Sequence, residues 1–222
     1  MFFDPMYFIV VGPAFLLALL ASLWVKSAFA SGMNVPTGMS GAEAARRILQ
    51  MNGLNLPIEE IPGDLSDHYD PTARVLRLSS AVYHGRTAAA VGVAAHECGH
   101  ALQHAEHYMP LVVRNLAVPM ASFGSGAGIW MFLLGMIFNL GALTWAGIIV
   151  FSGVVFFQVV NLPVELNASS RARYILANMG TFDETSLRTV SRVLTAAAMT
   201  YVAATLQAIL TLIYLILRSN RE

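Results

Sequence analysis

The run from Val91 to His104 reads VGVAAHECGHALQH and sets His96, His100 and His104 at four-residue intervals. Glu97 stands beside the first histidine, and Cys98, the only cysteine of the chain, between the first two. Residues four apart on a helix share a face, so His96 and His100 can grip one divalent ion through their ring nitrogens. Glu97 then sits where its carboxylate reaches water at the ion rather than the ion itself. That is the H-E-x-x-H arrangement in which zinc peptidases use the glutamate as general base. A five-residue pattern also arises by chance. The small flanking residues Gly92, Ala94, Ala95, Gly99 and Ala101 favour the chemical reading, because they suit a helix packed tightly behind a site.

Catalytic zinc takes three protein ligands and leaves a place for water. A histidine-rich continuation would need Gly at 103 and His at 106, where this chain has Gln103 and Glu106. A carboxylate from elsewhere is the remaining option. After Glu106 the acids are Glu165, Asp183, Glu184 and Glu222. Asp183 and Glu184 follow Gly180-Thr181 at an expected helix start, where carboxylates favour the dipole. Glu165 follows directly on an apolar run, an expensive place for a charge with no partner. It is the expected third ligand. His104 lies a turn further along the same face, but steps of four drift around the helix, so a solvated or supporting role suits it better than ligation. Cys98 falls on the opposite face and reads as a small buried apolar residue.

The elements that position these residues follow from the charge distribution. Only 12% of the 222 residues are charged, and net charge is zero, which gives no electrostatic case for nucleic acid. Met6–Val25, Asn115–Val164 and Val193–Leu217 carry no charge at all. The first and last runs can each span a bilayer. The middle one is about 75 Å long as a single helix and must turn, most naturally at Asn139-Leu140-Gly141. The expected fold is therefore an α-helical membrane protein with four spans, at 6–25, 118–138, 142–162 and 194–217. A small α+β module of the kind that carries zinc peptidase sites occupies 26–115, and a helical segment at 163–192 bears the third ligand. Ala28-Phe29-Ala30 resembles a signal-peptide cleavage site, but the first five residues carry no positive charge and the apolar run is long enough to span, so an uncleaved anchor is expected.

Within the module, Ser40-Gly41-Ala42-Glu43 has the capping-box pattern and opens a helix ending near Asn52-Gly53. Asp70-Pro71-Thr72-Ala73 reads as a turn joining strands at Leu65–Tyr69 and Arg74–Leu78. The histidine helix runs from about Thr87 to His107. Arg74–Leu78 either pairs with extended substrate or simply belongs to a small sheet. Lys and Arg concentrate on the side that holds the module and the 163–192 segment. The positive-inside rule then puts both in the cytoplasm of a cell-membrane protein, with both termini outside.

These stretches resemble one known family. HYDPTARVLRLSSAVYHGRTAAAVGVAAHECGHALQH and NLPVELNASSRA are similar to segments of the neutral zinc metallopeptidases of bacterial membranes, the YugP type, with the order of spans intact. The resemblance implies a gluzincin-like membrane peptidase, related in logic to the HtpX-type quality-control proteases, that binds one zinc ion through His96, His100 and Glu165 and uses Glu97 as base. It also implies an aspartate where this chain has Asn167, which would keep a hydrogen bond to a zinc ligand but lose a charge. His68, Tyr69, His84, Arg171 and Arg173 are the candidate donors to the oxyanion of a peptide under attack; the two arginines equally suit membrane-edge anchors. The expected partners are a polypeptide substrate, most naturally a membrane or membrane-proximal protein, and the lipid bilayer. The competing function is a non-catalytic membrane protein whose structural zinc site supports partner binding.

Overall fold

The computed structural model describes residues 4–63 and 65–220. The readings that touch Met1 to Phe3, Arg221 and Glu222 lie outside the described residues. The chain divides into two units. One comprises Ser22–Tyr108 and Glu165–Met199; the other comprises Met1–Ala21, Met109–Val164 and Thr200–Glu222.

In the unit that carries the histidines, α2 (Gly41–Met51) begins where Ser40 accepts from the Glu43 backbone N–H while the Glu43 carboxylate accepts from the Ser40 N–H. Such a cap contributes about 1 kcal/mol. The helix ends at Asn52, and Gly53 takes the left-handed conformation that a side chain resists (φ 70°). Its apolar stripe, Ala44, Ala45, Ile48 and Leu49, is buried. Three short strands follow: β1 (Ile58–Ile61), β2 (His68–Asp70) and β3 (Val75–Ser79). Asp70 builds the turn between β2 and β3 by accepting from the Thr72 and Ala73 N–H groups at 2.8 and 3.0 Å. The strand order is β1-β3-β2, with β1 parallel and β2 antiparallel to β3.

That order decides between the two readings of one strand. Arg74–Leu78 does not offer an edge to substrate, because β3 is the central strand and has a neighbour on each side. The hairpin places β2 at an edge instead.

A short helix α3 (Ser80–His84) leads into α4 (Ala88–Ala105), whose first turn is capped by the Thr87 hydroxyl at 3.3 Å from the Ala90 N–H. The unit also holds the ends of three long helices: α1 (Pro5–Gly32), α7 (Gly141–Asn178) and α8 (Glu184–Ser219). Its core gathers Ile48 and Leu49 of α2, Leu76 and Leu78 of β3, Cys98 of α4 and Leu176 of α7. Alanines fill much of α4's buried face, so neighbouring backbones come close.

The other unit contains α5 (Met109–Phe123) and α6 (Ile129–Ile137), joined by one π-helical turn at Gly124–Gly128, with the remaining lengths of α1, α7 and α8. Its core is Val11, Phe132, Ile148, Phe151, Tyr214 and Leu215. A Cβ at Gly147 would collide with the Phe132 backbone, the close approach that small residues permit between helices in lipid. Pro5–Gly32, Met109–Ile137, Gly141–Asn178 and Glu184–Ser219 are each long and apolar enough to cross a membrane. The chain is an α-helical membrane protein with a small α+β module. Two details differ from expectation. The second apolar helix starts earlier than residue 118 and contains the π turn. The third does not stop near 162 but runs unbroken through Pro163 to Asn178, so Glu165 belongs to the same helix as the apolar run before it.

Candidate metal centre

Four-residue spacing on α4 sets His96 and His100 side by side, their rings 4.8 Å apart between centroids. The partner helix is α7. It comes close because position 99 is glycine: a Cβ there would lie 2.8 Å from the Ala168 carbonyl oxygen. Ala168 and Ala172 on the facing side are fully buried. The small residues of the H-E-C-G-H run thus do specific work, since they bring Glu165 within reach of both imidazoles. Glu165 Oε2 lies 3.2 Å from His96 Nε2 and 3.5 Å from His100 Nε2. Ligand atoms of the three residues all fall within 4.8 Å of one another.

Each ring is also held from behind. Ser169, one turn beyond Glu165, puts its hydroxyl 3.1 Å from His96 Nδ1, so α7 grips that imidazole at both nitrogens. His100 Nδ1 is 3.0 Å from Gln103 Oε1, and with Nδ1 as donor this leaves Nε2 a lone pair. Gln103 is completely buried and passes the order on. Its amide donates to Asn167 Oδ1 at 2.9 Å. Arg171 Nε donates to the same oxygen at 2.8 Å, and its guanidinium meets Glu106 at 2.7–2.8 Å. Asn167 thus serves as a neutral acceptor, and the charge of Arg171 is met by Glu106.

Glu97 is 8% exposed and lies beside the trio. The Tyr69 backbone N–H on edge strand β2 donates to its Oε2 at 3.1 Å. Burial pushes the Glu97 carboxyl above the usual carboxylate range, opposed by His96 and His100 and reinforced by Glu165. Burial alone would pull the His100 imidazole down, but the hydrogen bond to Glu165 and the charges of Glu97 and Glu165 hold it above the usual histidine range. A place that raises proton affinity at an imidazole also favours a metal cation, which competes for the same lone pair. The donor set fits zinc on geometry too. Tetrahedral ligands bonded at about 2.0–2.1 Å stand about 3.3 Å apart, close to the two His–Glu separations above.

The other sequence candidates lie elsewhere. His104 Nδ1 is 2.8 Å from the Tyr69 hydroxyl. Asp183 caps α8 by accepting from the Ser186 N–H at 2.8 Å, and Glu184 pairs with Arg188. Arg173 bonds the Ser169 carbonyl and the Thr195 hydroxyl. His84 pairs with Glu60, and His68 with the Ser66 carbonyl. Of the five oxyanion candidates, Tyr69 is the one bonded to Glu97. Cys98 is fully buried, and burial pushes its thiol up, away from reactivity.

The family described as "Putative neutral zinc metallopeptidase" matches residues 7–220. The chain belongs to this family. Among curated proteins it is 50% identical over 196 residues to the "Putative membrane protease YugP" of Bacillus subtilis (strain 168), covering 85% of this chain and 87% of that relative. No solved structure matches. In this chain, sequence reasoning missed Gln103 and Ser169. The signal for Gln103 was present, three residues past His100 on the same helix face. That for Ser169 was not, because its partner lies 73 positions away. Gln103→Leu is expected to weaken zinc binding about 10–100-fold, as loss of an outer hydrogen-bond partner does. Competition against a chromophoric chelator measures it, with unchanged helical circular dichroism as the control. Unaltered affinity would mean that His100 needs no support from behind.

Proposed function

We propose that the chain is a membrane-embedded zinc endopeptidase that hydrolyses peptide bonds of membrane or membrane-proximal proteins. One zinc ion per chain is held by His96, His100 and Glu165. The observation that carries this reading is the approach of both Nε2 atoms to one buried carboxylate oxygen, with Glu97 alongside. A structural zinc site closes with a fourth protein ligand, whereas a catalytic one keeps a place open. His104, the nearest candidate for a fourth ligand, is engaged by Tyr69. This favours catalysis over the partner-binding alternative.

When bound, zinc supplies Lewis acidity, which acidifies water and polarises a carbonyl. The chain's own groups do the rest. Glu97 accepts a proton from water as the water oxygen bonds to the peptide carbonyl carbon. It returns that proton to the amide nitrogen as the C–N bond breaks, leaving a carboxylic acid and an amine. The Tyr69 N–H fixes one Glu97 oxygen and leaves the other to face the proton. Ser169 and Gln103 hold the two imidazoles in orientation, and Asn167, Arg171 and Glu106 hold Gln103.

Membrane substrates follow from the position of Glu165, directly after a charge-free run of fifty residues, Asn115–Val164. The excess of Lys and Arg beside that position and in the module favours a site on the cytoplasmic face, with both termini outside. A reporter active only in the cytoplasm, fused after residue 222, is expected to stay silent; activity would reverse the sidedness. Purified protein is expected to carry one zinc per chain by elemental analysis. A chelator should abolish hydrolysis of casein or quenched peptides, and one equivalent of zinc should restore it. Hydrolysis that survives metal removal would end the reading.

A further inference from the structure

A recess of about 280 Å³ opens next to Tyr69, with Leu54 and Leu56 among its apolar walls and Arg74, His104 and His107 among its polar ones. No acid lines it. The acids nearest in sequence to Arg74 and His107 are committed elsewhere. Asp70 binds Arg77 at 2.7 Å and the turn N–H groups, while Glu106 faces Arg171. Arg74 and His107 therefore make no ion pair with any described acid. Both hold left-handed backbone (φ 53° each), which a non-glycine residue adopts at a cost.

The recess also shares a wall with the candidate reaction site. Tyr69 gives its N–H to Glu97 and its hydroxyl to His104, so one residue of β2 stands between base and recess. Through Tyr69, a peptide attacked beside Glu97 has this opening adjacent to it. Apolar walls suit methylene groups, and a guanidinium with no ion-pair partner among the described acids suits a carboxylate, which it can meet through two parallel hydrogen bonds.

We propose that this recess is a substrate subsite for a carboxylate, with Arg74 and His107 as the groups that recognise it. The inference rests on the peptidase reading and adds a substrate class to it: polypeptides bearing an acidic side chain, or a chain end, close to the cleaved bond. Arg74 and His107 would determine specificity and take no part in the bond-breaking step.

The test uses the full-length zinc-loaded protein in detergent with quenched peptides. These differ only by Glu, Gln or Lys at each of three positions on either side of the cleaved bond, and a second set ends in a free acid or an amide. At one position, or at the terminus, the carboxylate is expected to raise kcat/KM about tenfold over its neutral counterpart, through KM, as a charge-assisted hydrogen bond does. A preference inside the peptide assigns the recess to acidic side chains, and one confined to the free-acid set assigns it to chain ends. Arg74→Glu should bring the ratio below one and favour Lys, while Arg74→Lys should keep the preference. Equal rates throughout, or a preference that Arg74→Glu leaves unchanged, would overturn the assignment. Anisotropy of the same peptides on Glu97→Gln protein reads the recess without turnover. Carboxylate-dependent binding with no cleavage by the parent would sink the peptidase reading and leave the recess standing; binding blind to the carboxylate would sink the recess.

Discussion

Glu97→Gln protein is expected to hydrolyse peptides about 10²–10⁴-fold more slowly than the parent, the usual contribution of a positioned acid–base group. Zinc content and KM should stay as they were. The substitution is nearly isosteric, and its amide oxygen can still accept from the Tyr69 N–H that holds Glu97 Oε2 at 3.1 Å. What it cannot do is take a proton. The environment of Glu97 suits that task, because burial lifts its carboxyl above the ordinary carboxylate range and so towards the pH at which it must both accept and release a proton. The His96 and His100 ligand atoms do not change, so a fall in kcat at constant zinc content isolates the proton step from metal binding. Equal turnover by mutant and parent would remove Glu97 from the mechanism.

The second large effect concerns Glu165. Replacing it with Ala should weaken zinc binding by more than about 100-fold, beyond the cost of losing an outer partner, and hydrolysis should vanish with the metal. The residue is 3% exposed and its oxygen faces both imidazoles, so its removal takes away a ligand and the negative charge that draws a cation there. Glu165→Gln separates those contributions by keeping the volume and an oxygen while losing the charge; an intermediate affinity is expected. Elemental analysis and competition titration read both variants. Full zinc occupancy in Glu165→Ala would send the third ligand elsewhere, with Asp183 and Glu184 disfavoured by their place at the start of α8.

How much of this was legible beforehand depends on the range of each interaction. His96, Glu97 and His100 could be read because their relation is local: helical periodicity turns a spacing of four into a shared face. The capping box at Ser40 and the turn at Asp70 are local in the same sense. Glu165 was reachable by elimination, since the chain has few acids after Glu106 and one of them follows directly on an apolar run. From sequence, Arg171 reads as an oxyanion donor or a membrane-edge anchor, and Asn167 as a direct hydrogen-bond partner of a zinc ligand. The structure instead places both in a line running from His100 through Gln103 to Glu106. The strand Arg74–Leu78 was read as a possible edge because pairing order in a three-stranded sheet leaves no mark in the strand itself.

Composition and spacing alone determine that this chain is a helical membrane protein with a paired-histidine helix, because lipid demands long apolar runs and a helix repeats every 3.6 residues whatever surrounds it. Only the tertiary structure decides which helix faces that pair, which atoms hold the imidazoles from behind, and which backbone N–H anchors Glu97. Apart from the local His100–Gln103 bond, those contacts join residues 28 to 73 positions apart. They depend on how closely two backbones pack, and at Gly99 that comes down to the absence of a single Cβ.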